Sequence, residues 1–386
     1  MTDRLAEAGT PGPQGFAAAI AADDHWKTAV DDCLARLGPT DGATLGFAYW
    51  TAPLAPHAGD VLERLRRVTG VQRWVGSTGI GICGNDREVF EQPALAVMVG
   101  RLAPESFRLF GGYQGAAANG GLDPGTARWV RDHAPTLALV HADPRNPRLP
   151  VIIDGLAEET GAFLVGGLGS GDDDIHQFAG DQVAAGGISG VLFDPAMATM
   201  TGLSQGCTPI GPTHTVTAGE QNIVIELDGR PAVDVLKEDV GELLARDLRR
   251  IGGYIFVAMP VAGSDTGDYL VRNLIGIDPG NGLIAIGDVV EPGDSLVFTR
   301  RDHASAVQDL DRMLQGVSRR LAGRRARAAV YVSCVARGPN LFGPNSEEIR
   351  QIRASLGDIP LVGFFASGEI SHNRLYGYTG VLTVFA

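Results

Sequence analysis

The sequence predicts an α/β protein, α+β in places, of two domains with mixed sheets flanked by helices, built from repeated β-α-β-β units with glycine-rich turns. Three observations predict it. The first is a pattern written three times: an apolar strand, Val-Gly, a few small residues, another glycine, then a returning strand. It occurs as WVGSTGIG at Trp74 to Gly81, LVGGLGSG at Leu164 to Gly171 and LVGFFASG at Leu361 to Gly368. A helical pattern precedes each copy, so a structural unit recurs and not only a dipeptide. The second is the alternation of short β-branched runs with stretches of helical spacing along the chain. The third is the run from Ile359 to Ala386, which closes on Val-Leu-Thr-Val-Phe-Ala. That ending reads as a buried strand, so the C-terminus is expected in the core.

The elements follow in order. Residues 1–15 are rich in Gly and Pro and are expected to be mobile. Phe16 to Ile20 reads as a strand. Trp26, Ala29, Val30, Cys33, Leu34 and Leu37 have helical spacing. Ala43 to Trp50 is a strand, and Val61, Leu62, Leu65 and Val68 mark one helix face. Gly79-Ile-Gly81-Ile-Cys-Gly84 is a literal G-x-G-x-x-G, but a dinucleotide site needs a helix to open at the third glycine. NDREVFEQP follows instead, without helical periodicity. Pro124 to His133 and Pro150 to Glu158 read as helices, with Leu137 to His141 a strand between them. Strands near Ile175 to Phe178 and Ile188 to Phe193 follow the second glycine turn. A domain boundary is expected at 196/197. Thr215 to Leu227 reads as a strand pair ahead of an Asp228-Gly229 turn, and Ala232 to Arg250 as a helix. Strands at Tyr254 to Pro260, Tyr269 to Ile277, Leu283 to Val289 and Asp294 to Phe298 make a β-rich stretch. Val307, Leu310, Leu314, Val317 and Leu321 form the clearest helical stripe. Ala328 to Ser333 is a strand. Asn345 with Glu348 three residues later reads as a capping-box start for the last helix.

Composition narrows the function classes. Hydrophobic residues make up 44% and charged residues 20%, values of an ordinary globular protein. The formal net charge of -13 repels a phosphate backbone, so no nucleic-acid partner is expected. The basic run from Arg319 to Arg327 suits a helix C-terminus. No apolar run approaches membrane-spanning length and the N-terminus carries no signal-peptide pattern, so a cytoplasmic protein without a membrane partner is expected. The four cysteines are scattered, which fits a reducing compartment and no structural zinc. Asp172, Asp173, Asp174 and His176 lack the spacing of a calcium loop and read as a solvated turn. Neither metal nor cofactor is expected.

Several segments taken together resemble a known family. SCVARG at Ser333 to Gly338, LFG at Leu341 to Gly343 and VGFFASGEI at Val362 to Ile370 are similar to the C-terminal FIST domain. So are ELDGRPAVDVL at Glu226 to Leu236, YLVRNLIGID at Tyr269 to Asp278 and EPGDSLVFTRRD at Glu291 to Asp302. The first helix and the VGSTGIG turn resemble the FIST N-terminal domain. The resemblance spans roughly residues 16–386 and places an N-terminal domain at 16–196 and a C-terminal one at 197–386. It implies an intracellular sensory module for small ligands such as amino acids. Relatives join it to signalling output domains or to an F-box, and neither pattern occurs here, so a separate signalling partner protein is expected. Where the family often has His-Asn before a Thr of the last strand, this chain has Tyr376-Gly377 before Thr379.

The chemistry-bearing residues gather near the strand ends, where α/β folds place ligands. Cys334 and Arg337 follow one strand; Gly363, Ser367, Gly368 and Glu369 lie in the third glycine turn. Arg337 and Arg272 could each clamp a carboxylate through paired hydrogen bonds, and Glu369 could take an ammonium group. Gly76, Ser77, Gly79, Gly166 and Gly169 of the first two turns allow close backbone approach by a ligand. The set suits an amino acid or other small zwitterion. A competing reading pairs Arg337 with Glu369 and Arg272 with a structural acid. Two further function classes compete with sensing: a scaffold for protein–protein contact, and an enzyme using Cys334 as nucleophile with His303 or His372 as base.

Overall fold

The computed structural model describes residues 15–115, 121–172, 174–245, 248–261 and 268–386. The segment expected to be mobile, 1–15, lies outside them except for Gly15, and Asp173 of the acidic turn lies outside them too.

One architectural unit is used three times. The first module runs β1 (Phe16–Ala22), α1 (Trp26–Leu37), β2 (Leu45–Thr51), α2 (Ala58–Thr69), β3 (Trp74–Gly79), β4 (Gly81–Gly84), β5 (Arg87–Phe90) and β6 (Ala94–Gly100). The second repeats this as β7 (Phe107–Tyr113), α3 (Pro124–His133), β8 (Leu137–Ala142), α4 (Leu149–Thr160), β9 (Phe163–Leu168), β10 (Gln177–Ala179), β11 (Gln182–Ala184) and β12 (Ile188–Phe193). The third opens with β13 (Thr199–Ser204) and is then interrupted. The interruption contains β14 (Thr208–Pro209), β15 (His214–Glu220), β16 (Ile223–Leu227), β17 (Arg230–Pro231), α5 (Ala232–Ala245), β18 (Ile255–Pro260), β19 (Tyr269–Asp278), β20 (Leu283–Ile286) and β21 (Ser295–Arg300). The third module resumes in α6 (His303–Leu321) and completes itself with β22 (Ala328–Cys334), α7 (Glu347–Leu356), β23 (Leu361–Ala366), β24 (Glu369–Ser371), β25 (Arg374–Tyr376) and β26 (Gly380–Phe385).

Three six-stranded sheets result among the described residues, ordered β1-β6-β2-β3-β10-β11, β7-β12-β8-β9-β24-β25 and β13-β26-β22-β23-β4-β5. Each holds one parallel pair, joined through a helix, and antiparallel strands around it. The short hairpin that follows each glycine turn leaves its own module. β4–β5 joins the third sheet, β10–β11 the first and β24–β25 the second. The exchange is cyclic, so each module completes another's sheet. The inner faces of all three sheets share one apolar core, including Phe47, Leu139, Val330, Phe364 and Phe385. α1 and α2 cover the outer face of the first sheet, and α3 and α4 that of the second.

Compactness divides the described residues into two units. One holds those up to Leu203 together with Met313–Ala386; the other is Ser204–Arg312. The chain therefore crosses between units twice, whereas a division at 196/197 crosses once. In the second unit β21, β15, β16, β20, β19 and β18 pair in turn, and β18 pairs back onto β21. This closes an antiparallel barrel, which removes the exposed edges of an open sheet. Val224, Leu227, Ile284, Ile286 and Phe298 lie in its core with Val233 and Leu236 of α5. The helix expected over Ala232 to Arg250 is kinked at Gly241, whose φ of 78° lies outside helical values; α5 ends at Ala245, and a short 3-10 turn follows at Leu248–Ile251.

Candidate functional site

The Val-Gly glycine occupies the same register position in all three modules. Gly76 lies opposite Ala48, Gly166 opposite Val140 and Gly363 opposite Tyr331. A Cβ at these glycines would stand 1.7, 1.9 and 1.7 Å from the facing carbonyl oxygen. No side chain fits, so the repeat is imposed by backbone contact between the parallel strands.

Beyond these glycines the three turns meet. The Ser170 hydroxyl donates to the Phe365 carbonyl and accepts from the Ile80 amide at 2.8 Å. The Ser170 amide donates to Thr78 at 3.1 Å, Leu168 to Gly368 at 2.8 Å, and Val335 to Ala366 at 2.9 Å. Among the sequence candidates, Gly76, Ser77, Gly79, Gly166, Gly169, Gly363 and Gly368 are all buried there, and Ser367 is exposed. The Ser77 hydroxyl bonds the backbone carbonyls of Thr78 and His176, both at 3.3 Å.

Arg337 is fully buried, and its carboxylate partner is Glu348 of α7, not Glu369. Glu348 accepts from Arg337 Nε at 2.8 Å, the Tyr331 hydroxyl at 2.6 Å, the Gly338 amide at 2.9 Å and the Ser333 hydroxyl at 3.2 Å. The guanidinium also lies over the Phe342 ring. Four donors on one buried carboxylate make a structural clasp. Glu348 is therefore not the capping residue that its spacing from Asn345 predicts. Ser346 stands at the N-cap with a left-handed backbone, and its hydroxyl accepts from the Glu88 amide at 2.8 Å. Arg272 likewise pairs with an acid, its Nε 2.7 Å from Asp288.

Glu369 is different. It too is fully buried, and its Oε2 accepts from the Thr379 hydroxyl at 2.8 Å and the Thr379 amide at 3.1 Å. Its Oε1 has no hydrogen-bond partner among the described residues. Burial pushes the carboxyl up to about 8, against the Thr379 hydrogen bonds, the Arg337 charge and the Cys334 thiol, which lower it. The Cys334 thiol lies beside it and is itself pushed up to about 12 by burial and by Glu369. Internal comparison shows what the fold alone requires here. Three residues past the strand position facing each glycine come Thr51, Asp143 and Cys334; one step along the exchanged hairpins stand Ile82, Gln177 and Glu369. Two modules thus close the same corner with Thr51 and Ile82 or with Asp143 and Gln177. Neither a thiol nor an ionisable hairpin residue is needed to build it.

Family models match the chain in two adjoining stretches, the FIST N domain over residues 44–230 and the FIST C domain over residues 232–372. The chain belongs to the FIST family. An uncharacterized protein of Mycobacterium bovis is 33% identical over 370 residues, covering 92% of each chain. An uncharacterized protein of Mycobacterium tuberculosis is 33% identical over 342 residues, covering 84% of this chain and 87% of its own. FIST domains are associated with sensory roles in signal transduction.

In this FIST chain the catalytic-cysteine alternative meets a chemical obstacle, since a thiol held near 12 is a poor nucleophile at neutral pH. His372 is exposed and packs on the Phe163 ring. Among the described residues no group of three His, Cys, Asp or Glu could hold a metal ion, and Asp172 and Asp174 are exposed. Among the described residues no helix is long and apolar enough to cross a membrane. Sequence reasoning missed Glu348, although its place next to Ile349 and Ile352 on the buried stripe of α7 was a signal. It also missed two buried histidines. His141 meets the Tyr49 hydroxyl at 3.1 Å inside the core, where burial lowers its pKa to about 3. His214 lies between Asp228 (2.6 Å) and Asp239 (2.9 Å); burial works against its charge, but the two carboxylates outweigh burial and raise its pKa. Neither residue has a local pattern that announces its partners.

Proposed function

We propose that this protein is an intracellular, cytoplasmic sensory module that binds a small ammonium-bearing ligand, an amino acid or similar zwitterion, at the Glu369 corner and passes the signal to a separate partner protein. The observation that carries this reading is the Glu369 carboxyl, wholly buried with one oxygen unpartnered. A buried acid in that state costs stability, and the two equivalent corners have no acid at the hairpin position, where Ile82 and Gln177 stand. Family membership supports the sensory role. The ligand's carboxylate would rest on backbone amides of the converging turns, because Arg337 and Arg272 form their ion pairs with Glu348 and Asp288.

A thermal-shift comparison of glycine, methylammonium and acetate on wild type and Glu369→Gln tests it. A probe at one hundred times its dissociation constant adds about 2.7 kcal/mol. Glycine and methylammonium should raise the wild-type melting temperature and leave that of Glu369→Gln unchanged. A shift by acetate alone, or equal shifts in both proteins, would sink the assignment. Arg337→Ala should lose about 3–5 kcal/mol of stability without ligand, as expected when one partner of a buried ion pair is removed.

A further inference from the structure

The inserted barrel exposes a row of large apolar side chains. Ile223 lies opposite Ala285, and Ala285 lies opposite Gly276, so β16, β20 and β19 are lateral neighbours at this level. Ile275 occupies the register shift beside Gly276 and is 63% exposed. Val289, which is 64% exposed, adjoins the turn before Ile223, because the Val290 amide donates to Gln221 at 2.7 Å. Ile225 and Leu283 lie half-buried on the same strands. The alternate residues, Val224, Leu227, Ile284 and Ile286, fill the barrel core. The row is thus the outer face of three adjacent strands, and a contiguous exposed apolar face of this kind marks an interaction surface.

We propose that this face docks a basic amphipathic helix of a partner protein. Three features select that occupant. Closure of the barrel gives β16, β20 and β19 a neighbour on both sides, so a partner cannot add a strand and must bind by side chains. Strands about 4.8 Å apart make a three-strand face roughly 10 Å across, the diameter of one α-helix. The charge around the face is acidic. Residues 204–312 carry 17 Asp and Glu against 9 Lys and Arg; Asp278 is exposed at the end of β19, Glu220 at the end of β15 just before the turn into β16, and Glu291 in the segment after Val290. Two copies of this chain meeting here would bring acidic rims together, whereas a helix with Lys and Arg flanking its apolar stripe meets opposite charge.

The experiment is a fluorescence-anisotropy titration with a labelled Leu/Lys amphipathic helix of roughly 18 residues, beside the same peptide with Glu for Lys. The proteins are wild type, the double variant Ile275→Ser with Val289→Ser, and Val151→Ser, an equally exposed site on α4. The Lys peptide should bind wild type and Val151→Ser alike, weaken about tenfold or more on the double variant, and exceed the Glu peptide throughout. Equal binding to all three proteins would reduce the effect to general charge attraction and overturn the proposal. So would absence of binding, or a wild-type dimer in sedimentation that the double variant dissolves. The surface is independent of the Glu369 reading: Glu369→Gln should bind the peptide as wild type does, so each idea can fail alone.

Discussion

Glu369 stands where the other modules place Ile82 and Gln177, and its chemistry follows from that replacement. Its folded pKa, about 8, lies above the ordinary carboxylate range, so the native state holds a proton that the unfolded chain releases. The contribution of Glu369 to stability is then greatest below the ordinary range, falls as pH rises toward about 8, and is flat beyond. Glu88, also pushed to about 8 by burial and by Glu348, acts in the same sense. Glu369→Gln should flatten the slope of unfolding free energy by up to about 1.4 kcal/mol per pH unit between about pH 5 and 8, read by urea titration at several pH values. An unchanged slope would mean that Glu369 is ionised in the native protein. An ammonium ligand needs the ionised carboxylate, so its affinity should rise with pH and level off near 8, with a proton released on binding below that. Calorimetry in buffers of different ionisation enthalpy reads that proton directly.

The parallel strand pairs depend on their glycines at the scale of the element. Gly76→Ala, Gly166→Ala and Gly363→Ala each drive a methyl group into a backbone carbonyl that cannot move aside. Each should cost at least the upper part of the roughly 1–3 kcal/mol range for overpacking. Gly59→Ala in α2, with open space around it, should instead be neutral or stabilising. Chemical denaturation of the four variants separates the cases, and a mild effect at Gly166 would contradict the equivalence of the modules. Helix faces were legible because their period is local. Val61, Leu62 and Leu65 are buried as the spacing of α2 requires. Val68, read into the same stripe, is 48% exposed, because Thr69 and not Val68 continues the face. The third glycine of G-x-G-x-x-G leads into the turn before β5, so no helix N-terminus faces a phosphate there.

For the whole molecule, the barrel and the three-module unit have separate cores. Thermal unfolding should therefore resolve two calorimetric transitions, and Ile284→Ala, which opens a cavity in the barrel core, should lower only one of them. A single transition moved as a whole by that substitution would show one cooperative unit. The three-module unit should fold slowly for its size. Its hairpins pair across the chain, as Ile82 does with Phe364 and Glu369 with Gly167, and such distant contacts demand costly loop closure.

The sequence by itself determined the three copies of strand, helix and glycine turn, the positions of most helices and strands, the buried final strand and the family. These are written locally, in periods of 2 and 3.6 residues and in glycines that tolerate no side chain. Only the tertiary structure decided which sheet each hairpin joins, that the β-rich stretch closes into a barrel inserted in the third module, and that Arg337 faces Glu348 while Glu369 keeps an unpartnered oxygen. The alternation of a strand says which side chains point inward but carries no address for its neighbour. A charge shows its sign in the sequence, and its partner only when distant strands are brought together.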